Sequence, residues 1–563
     1  MKKSVIDMNP QSHPYPETTM FGAIKAAADR TPNAIAYDFE GKLTSFKKFI
    51  KEIETAAKAY YKIGIRSGDT VAICMPNMPQ AVVSLYALNR IGAVANMIHP
   101  LSAPKNITYY LNYSDSKIIL CLDAFYDKVK SAVLSSDHPV KIITTRIQEE
   151  LPIYKAIPYT MAKGKPFLDF PDRDEDIAWN DFIKLSKGVT LPPVNYVKDK
   201  TAVMLYSGGT TGIPKGICLS DDNFNCLGMQ IAEIAGCNLN ENTKFLAVMP
   251  IFHGFGLGIG IHTVLENSAR CILIPQFTKE TYAKAVIKKK PNFIAGVPTI
   301  FEALLGTKAF KNADLSFLIG VFSGGDKLTP DLKKRVDTFF KEHNAKVQIR
   351  EGYGLTEAIA ASCVTPDHKA KEGSIGKPVR DMVFKIVKPN TFKELPNGKC
   401  GEIIMSGPTV MLSYLNHEEE NEKTLKYDKN GTKWLFTGDL GHIDDEGYIY
   451  FEQRIKRMIV SSGYNVYPTQ VEACLEEFPH IEKSCVIGVK DPYKMQRVRA
   501  YIVLKKGFEP TDDEKEQIII HCKKHLDHSS VPKEIIFKES LPHTLVGKVA
   551  YRELEEEALK EAE

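Results

Sequence analysis

The chain has 563 residues, 44% hydrophobic and 25% charged, with a formal net charge of +4. Such a length exceeds what one core holds, so two or more domains are expected, while the near-balanced charge gives no sign of a nucleic-acid partner. Eleven cysteines are scattered without a C-x-x-C pair, which argues against a zinc site or a secreted disulfide framework and points to reduced thiols in a cytoplasmic protein. The first residues carry two lysines but no apolar h-region, and no run approaches a membrane-spanning length, so neither a signal peptide nor a transmembrane segment is expected.

In chain order, residues 19–30 read as an amphipathic helix, 34–37 as a strand and 45–61 as a long helix with Ser45 at its N-cap. Strands follow at 69–75 and 117–122, around a helix at 78–91 that ends at Gly92. Between about 145 and 197 the pattern dissolves into Pro, Gly, Asp and Lys, a surface connection with one helix near 179–185. Alternation returns after residue 200. Strands are expected at 203–207, 244–249, 270–274, 293–297, 317–322 and 346–350. Between them lie helices at 222–235 (capped by Ser220), 254–265, 279–289, 299–305 and 330–343 (Pro330 at N1). This alternation predicts a large doubly wound α/β body, in which ligands gather outside the carboxyl ends of the strands.

Residues 383–453 change to short strands at 384–387, 401–406 and 448–451, separated by glycine turns, which reads as a β-subdomain. After the basic cluster Arg454, Lys456 and Arg457, the pattern is a strand, a helix at 468–477 and strands at 484–489 and 498–504. A helix at 512–526, a strand at 534–537 and a charged terminal helix complete a small α+β domain. The expected division is therefore 1–453 and 454–563.

The chemistry-bearing residues sit at turns. Ser207, Gly208, Gly209, Thr210, Thr211 and Gly212 follow an apolar run and precede Lys215. Glycines let backbone N–H groups approach an anion and hydroxyls add donors, which suits a polyphosphate, although the lysine spacing is not that of a Walker loop. His253 begins a run with glycines at 254, 256, 258 and 260. Gly325 and Asp326 follow one strand; Glu351, Gly352, Tyr353, Thr356 and Glu357 follow another. Asp439 ends a strand of the β-subdomain, and Lys548 lies on a glycine turn near the C-terminus. Singly, each has a bland alternative: a helix cap for His253, a dipole-stabilising acid for Glu357, an Asx-turn for Asp439, a solvated lysine for Lys548.

Together and in this order, these motifs resemble the adenylate-forming superfamily of acyl-CoA synthetases, 4-coumarate–CoA ligases, firefly luciferase and peptide-synthetase adenylation domains. The resemblance spans about residues 20–555. It implies a large N-terminal domain and a small mobile C-terminal domain hinged near Lys456. It also implies a reaction in which a small-molecule carboxylic acid and ATP give an acyl-adenylate, which a thiol then attacks. By resemblance, the loop from Ser207 to Lys215 holds the β- and γ-phosphates, and Gly325, Asp326, Glu351, Gly352 and Tyr353 form the adenine pocket. His253 joins the catalytic set and the glycines after it border the acyl pocket, with 295–298 and 320–323 lining the rest. Thr356 touches the α-phosphate, Glu357 binds Mg²⁺, and Asp439 with Arg454 takes the ribose. Lys548 bridges carboxylate and α-phosphate, and Gly463 lines the tunnel for coenzyme A. Gly208 stands where many relatives carry serine. The resemblance leaves open a free coenzyme A thiol, a carrier protein's phosphopantetheine or a luciferase-like reaction, and a second copy in a homodimer is a further candidate partner. A bulky hydrophobic acid, fatty or aryl, is the expected substrate.

Overall fold

The computed structural model describes residues 14–162, 176–207, 214–234, 239–367, 369–461, 464–491, 495–543 and 549–561. By contact the chain divides into two compact units, Met1–Val383 with Ser406–Leu435, and Phe384–Met405 with Phe436–Glu563. The division falls inside the β-rich stretch expected at 383–453.

The first unit holds two large sheets, as the strand–helix alternation predicts. One has nine strands in the order Lys377–Pro378, Cys363–Val364, Ile349–Tyr353, Gly320–Gly324, Phe293–Gly296, Lys244–Ala247, Arg270–Leu273, Ile35–Phe39 and Lys42–Ser45. The other has eight: Ser413–Tyr414, Lys215–Ser220, Thr201–Ser207, Val94–Met97, Thr70–Cys74, Ser116–Leu122, Lys141–Thr145 and Ile177–Ala178. The inner strands are parallel and read as nearly continuous apolar runs, because helices cover both faces. Helix Pro79–Arg90 is buried at every position from Pro79 to Asn89, the signature of a helix enclosed within a core rather than laid on a surface.

Two local forms differ from the sequence reading. Lys215–Ser220, to which the sequence reading assigned no element, is the second strand of a hairpin, antiparallel to Thr201–Ser207 with Ser207 opposite Lys215 and Leu205 opposite Ile217, and the helix Asp221–Ile234 starts only after it. Ser220 does cap that helix, since the Asn223 N–H donates to its hydroxyl at 3.2 Å. The segment expected as an α-helix at 254–265 is a π-helix over Phe255–His262 that tightens to α at Thr263–Glu266.

In the second unit, Ile449–Arg454 pairs with the later half of Lys433–Ile443, whose other neighbour is Gly401–Ser406. A further sheet runs Tyr464–Val466, Ile459–Ser461, Met495–Leu504 and Ile481–Asp491, with Glu534–Phe537 parallel to Met495–Leu504. One face of this sheet packs on helices Pro468–Glu476 and Asp512–His525, and the other on Tyr551–Lys560. This is the expected α+β arrangement. His521 Nε2 lies 2.9 Å from the Cys474 carbonyl, capping the last turn of the first of these helices. That contact accounts for Cys474, His521 and His525 lying together. The cysteines among the described residues are free thiols, all buried except Cys400. No helix among the described residues is long and apolar enough to cross a membrane.

Candidate active site

The expected base-pocket residues are brought together by strand register. Gly320–Gly324 and Ile349–Tyr353 are parallel neighbours, with Ser323 opposite Glu351 and Gly324 opposite Gly352. Gly325 and Asp326 thus leave one strand beside Glu351, Gly352 and Tyr353 on the next, at the carboxyl edge where open α/β sheets bind ligands. Burial pushes the Glu351 carboxyl up to about 7, although the Leu328 N–H and the ammonium groups of Lys327 and Lys333 oppose it.

Beyond Tyr353 the chain winds through a 3₁₀ turn, Thr356–Ala358, and then through Ile359 at φ 62°, ψ −54°. The Ala360 N–H donates to the Ala358 carbonyl at 2.8 Å. These values define a γ-turn of the rare, strained hand, centred on a β-branched residue and costing about 1–3 kcal/mol. Gly254 makes room for it, and the glycines that follow are packed as closely. A Cβ on Gly254 would lie 1.6 Å from the Ile359 carbonyl oxygen, and one on Gly256 would lie 2.0 Å from that of Pro250. A Cβ on Gly258 would meet Leu227 and Ile359 at 2.6 and 2.7 Å. The side-chain direction at these three glycines is therefore occupied by protein; only Gly260 has slack, its nearest neighbour being Ala247 at 3.9 Å. His253 immediately precedes this packed run, its ring 5.0 Å from that of Phe252.

Glu357 is gripped from the far side of the sequence. The Met411 N–H donates to its backbone carbonyl at 2.8 Å, and the Tyr414 hydroxyl donates to its Oε1 at 2.8 Å. Burial and the Glu357 carboxylate together hold the Tyr414 phenol far above its ordinary pKa, so it stays a donor. Ser413–Tyr414 also adds to the edge of the glycine hairpin, Tyr414 opposite Ile217, and the hairpin strand Thr201–Ser207 lies against the Thr356–Ala358 turn. Lys215, on the second hairpin strand, is buried; its Nζ is 2.5 Å from Glu420 Oε2 and 5.1 Å from the Tyr414 ring centroid. Gly208, Gly209, Thr210, Thr211 and Gly212 lie outside the described residues.

In the second unit Asp439 is buried on strand Lys433–Ile443, with Arg454 directly opposite and Arg454 Nε 3.2 Å from Asp439 Oδ1. Gly463 and Lys548 lie outside the described residues; an isolated antiparallel bridge between His543 and Val549 brackets the segment that carries Lys548.

The family model described as AMP-binding enzyme matches residues 24–415, and that of the AMP-binding enzyme C-terminal domain matches 470–548. The chain belongs to the AMP-binding enzyme family. It is 33% identical over 557 residues to a long-chain-fatty-acid–CoA ligase of Bacillus subtilis, covering 97% of this chain and 96% of the relative. It is 29% identical to 4-coumarate–CoA ligase 2 of Nicotiana tabacum, covering 88% and 86% of the two chains. Its fold matches that of an anthranilate CoA ligase solved with anthranoyl-AMP, with a TM-score of 0.80, 24% identity and 98% of each chain covered.

Within this family site the sequence reading missed Tyr414 and Glu420, which touch Glu357 and Lys215. The available signal was slight, a tyrosine just ahead of the acidic run Glu418, Glu419 and Glu420.

Proposed function

We propose that this protein is an ATP-dependent acid–CoA ligase acting on a hydrophobic carboxylic acid, fatty or aryl. A carboxylate oxygen of the acid attacks the α-phosphorus of ATP and pyrophosphate leaves; the coenzyme A thiolate then attacks the acyl carbon and AMP leaves. Family membership over nearly the whole chain supports the reaction class, and the names of the fatty-acid and coumarate relatives support the acid class. The observation that carries the reading is the convergence of the Thr356–Glu357 turn on the glycine hairpin through Tyr414.

In this reading the hairpin holds the departing pyrophosphate, Thr356 contacts the α-phosphate, and the strand ends at Gly325, Asp326, Glu351, Gly352 and Tyr353 receive the base. Asp439 accepts hydrogen bonds from the ribose hydroxyls. Lys548 stabilises the charge that builds between carboxylate and α-phosphate. The C-terminal residues beyond Arg454 turn about Lys456 between the two steps, which replaces Lys548 with the loop carrying Gly463. Glu357 fits a magnesium ion, because its carboxylate is held by a neutral hydroxyl and carboxylate oxygen suits a hard cation. When bound, the ion would supply positive charge to offset that of the leaving pyrophosphate.

The test is incubation with ATP, Mg²⁺ and coenzyme A against a panel of carboxylic acids, reading AMP and thioester by mass. Acid-dependent AMP with a stoichiometric thioester is expected; AMP without thioester would refute the ligase reading. In the same assay Lys548→Ala should lose adenylate formation while still making thioester from supplied acyl-adenylate.

A further inference from the structure

The short strand Ser413–Tyr414 contributes none of the residues expected to meet substrate, yet it is tied to both halves of the phosphate side of the site. Its backbone is fastened to the glycine hairpin by Leu412 N–H to the Cys218 carbonyl at 2.9 Å and Leu415 N–H to the Gly216 carbonyl at 2.8 Å. It is fastened to the strained turn by Met411 N–H to the Glu357 carbonyl at 2.8 Å. Between these anchors the Tyr414 side chain works at two ends. Its hydroxyl donates to the Glu357 carboxylate, and its ring face lies under the Lys215 ammonium.

Tyrosine suits that double task. A hydroxyl fixes a carboxylate without neutralising it, and the negative face of an aromatic ring attracts a cation. A γ-turn with positive φ at Ile359 persists only where its surroundings hold it, and the Glu357 contacts are part of that hold. Lys215 has a second partner, Glu420, in an ion pair whose side chains are only 9% and 28% exposed. The ammonium is therefore already spoken for when the polyphosphate arrives.

We infer that Tyr414 is a positioning residue that sets the spacing between the Glu357 carboxylate and the polyphosphate hairpin, and that Glu420 is an internal counter-ion the triphosphate displaces from Lys215. The inference rests on the reading of Glu357 and Lys215 given above. Its two parts have opposite signs. Loss of the Tyr414 hydroxyl loosens the metal carboxylate; loss of the Glu420 charge releases the lysine and relieves repulsion of the incoming phosphates.

The experiment compares Tyr414→Phe, Tyr414→Leu, Glu420→Gln and, as a control, Glu357→Gln, each verified as folded by circular dichroism. Two readouts are taken, the Mg²⁺ dependence of acyl-adenylate formation and ATP binding by calorimetry in EDTA. Tyr414→Phe should raise the Mg²⁺ requirement about tenfold, the usual effect of removing a group that orients a metal ligand, and leave ATP binding in EDTA unchanged. Tyr414→Leu should show the same Mg²⁺ shift and also weaken ATP binding in EDTA several-fold, because the ring is lost too. Glu420→Gln should tighten ATP binding in EDTA several-fold without moving the Mg²⁺ titration. A Tyr414→Phe titration superimposed on wild type, or equal losses in EDTA for Phe and Leu, overturns the positioning role. Unchanged or weaker ATP binding by Glu420→Gln overturns the counter-ion role, which this variant tests independently of whether the tyrosine variants fold. Should Glu357→Gln itself leave the Mg²⁺ titration unmoved, the underlying assignment of Glu357 fails and the positioning role falls with it. A shift for Glu357→Gln without one for Tyr414→Phe refutes the positioning role alone.

Discussion

Glu357 and Asp439 are both carboxylates assigned to the nucleotide, and the protein surrounds them differently. Glu357 meets a neutral hydroxyl, that of Tyr414. Asp439 is buried against a guanidinium, with Arg454 Nε at 3.2 Å. The contrast follows what each is proposed to bind. A carboxylate meant for a cation must keep its full charge available, so a neutral donor is the only suitable holder. A carboxylate meant for ribose hydroxyls needs acceptor oxygens rather than net charge. There an adjacent cation lowers the cost of burying it.

The comparison breaks if the two sites respond alike. The largest effect is expected at Glu357. Glu357→Gln should raise the Mg²⁺ needed for half-maximal adenylation by about 100-fold, since a direct ligand is lost where supporting groups already cost 10–100-fold. Mg²⁺ titrations at saturating ATP measure it, and a rise in the KM for ATP with an unchanged Mg²⁺ requirement would erase the distinction. Asp439→Asn should behave in the opposite way. One acceptor oxygen remains, Arg454 loses its counter-charge, and the KM for ATP should rise about tenfold, the scale of one charge-assisted hydrogen bond. Initial rates across ATP concentrations at fixed excess Mg²⁺ check this, and a Mg²⁺-dependent defect would contradict it.

What the sequence revealed of this site follows how local each feature is. The strands ending at Gly324 and Tyr353 were legible because apolar runs bounded by glycines report a buried parallel strand directly. Asp439 and Glu357 stood out as candidates because their motifs are contiguous. Tyr414 was not, for its two partners lie 57 and 199 positions away and meet it only through antiparallel pairing with the hairpin. That hairpin was itself hidden, since a glycine-rich turn followed by a short apolar run serves equally as the entry to a helix. The π-helix was invisible for a related reason. Alternate glycines from 254 to 260 carry no 3.6-residue pattern, and one of them, Gly254, admits the backbone of Ile359, a contact about a hundred positions away. The same glycines show that small side chains signal close approach as readily as a cavity, since at 254, 256 and 258 a Cβ would meet protein.

A third carboxyl, Glu266, sharpens the contrast, because neither a hydroxyl nor a cation is set against its inner oxygen. His262 Nε2 is 3.5 Å from Glu266 Oε2, but burial pushes the imidazole down to about 3. It is therefore neutral at ordinary pH, its ring nitrogens engaged by Asn225 Oδ1 at 3.0 Å and by the Tyr86 hydroxyl at 3.1 Å. Burial raises the Glu266 carboxyl to about 8, with only Arg30 opposing. The folded protein thus holds this proton where an unfolded chain, with a carboxyl near 4.5, has released it. Wherever the native state binds more protons, stability falls as pH rises. Glu266 therefore contributes fully below about 4.5 and loses its contribution as pH climbs through about 8. His262 acts in the opposite direction, but only below its unfolded value of 6.5, so above that pH the slope from this pair belongs to Glu266. Thermal unfolding between pH 6.5 and 8.5 should show a falling midpoint. Glu266→Gln, which keeps the neutral shape, should flatten that fall and unfold at a higher temperature than wild type near the top of the range. A midpoint with the same slope in both proteins would mean that the carboxyl ionises in place and that burial alone does not keep it neutral.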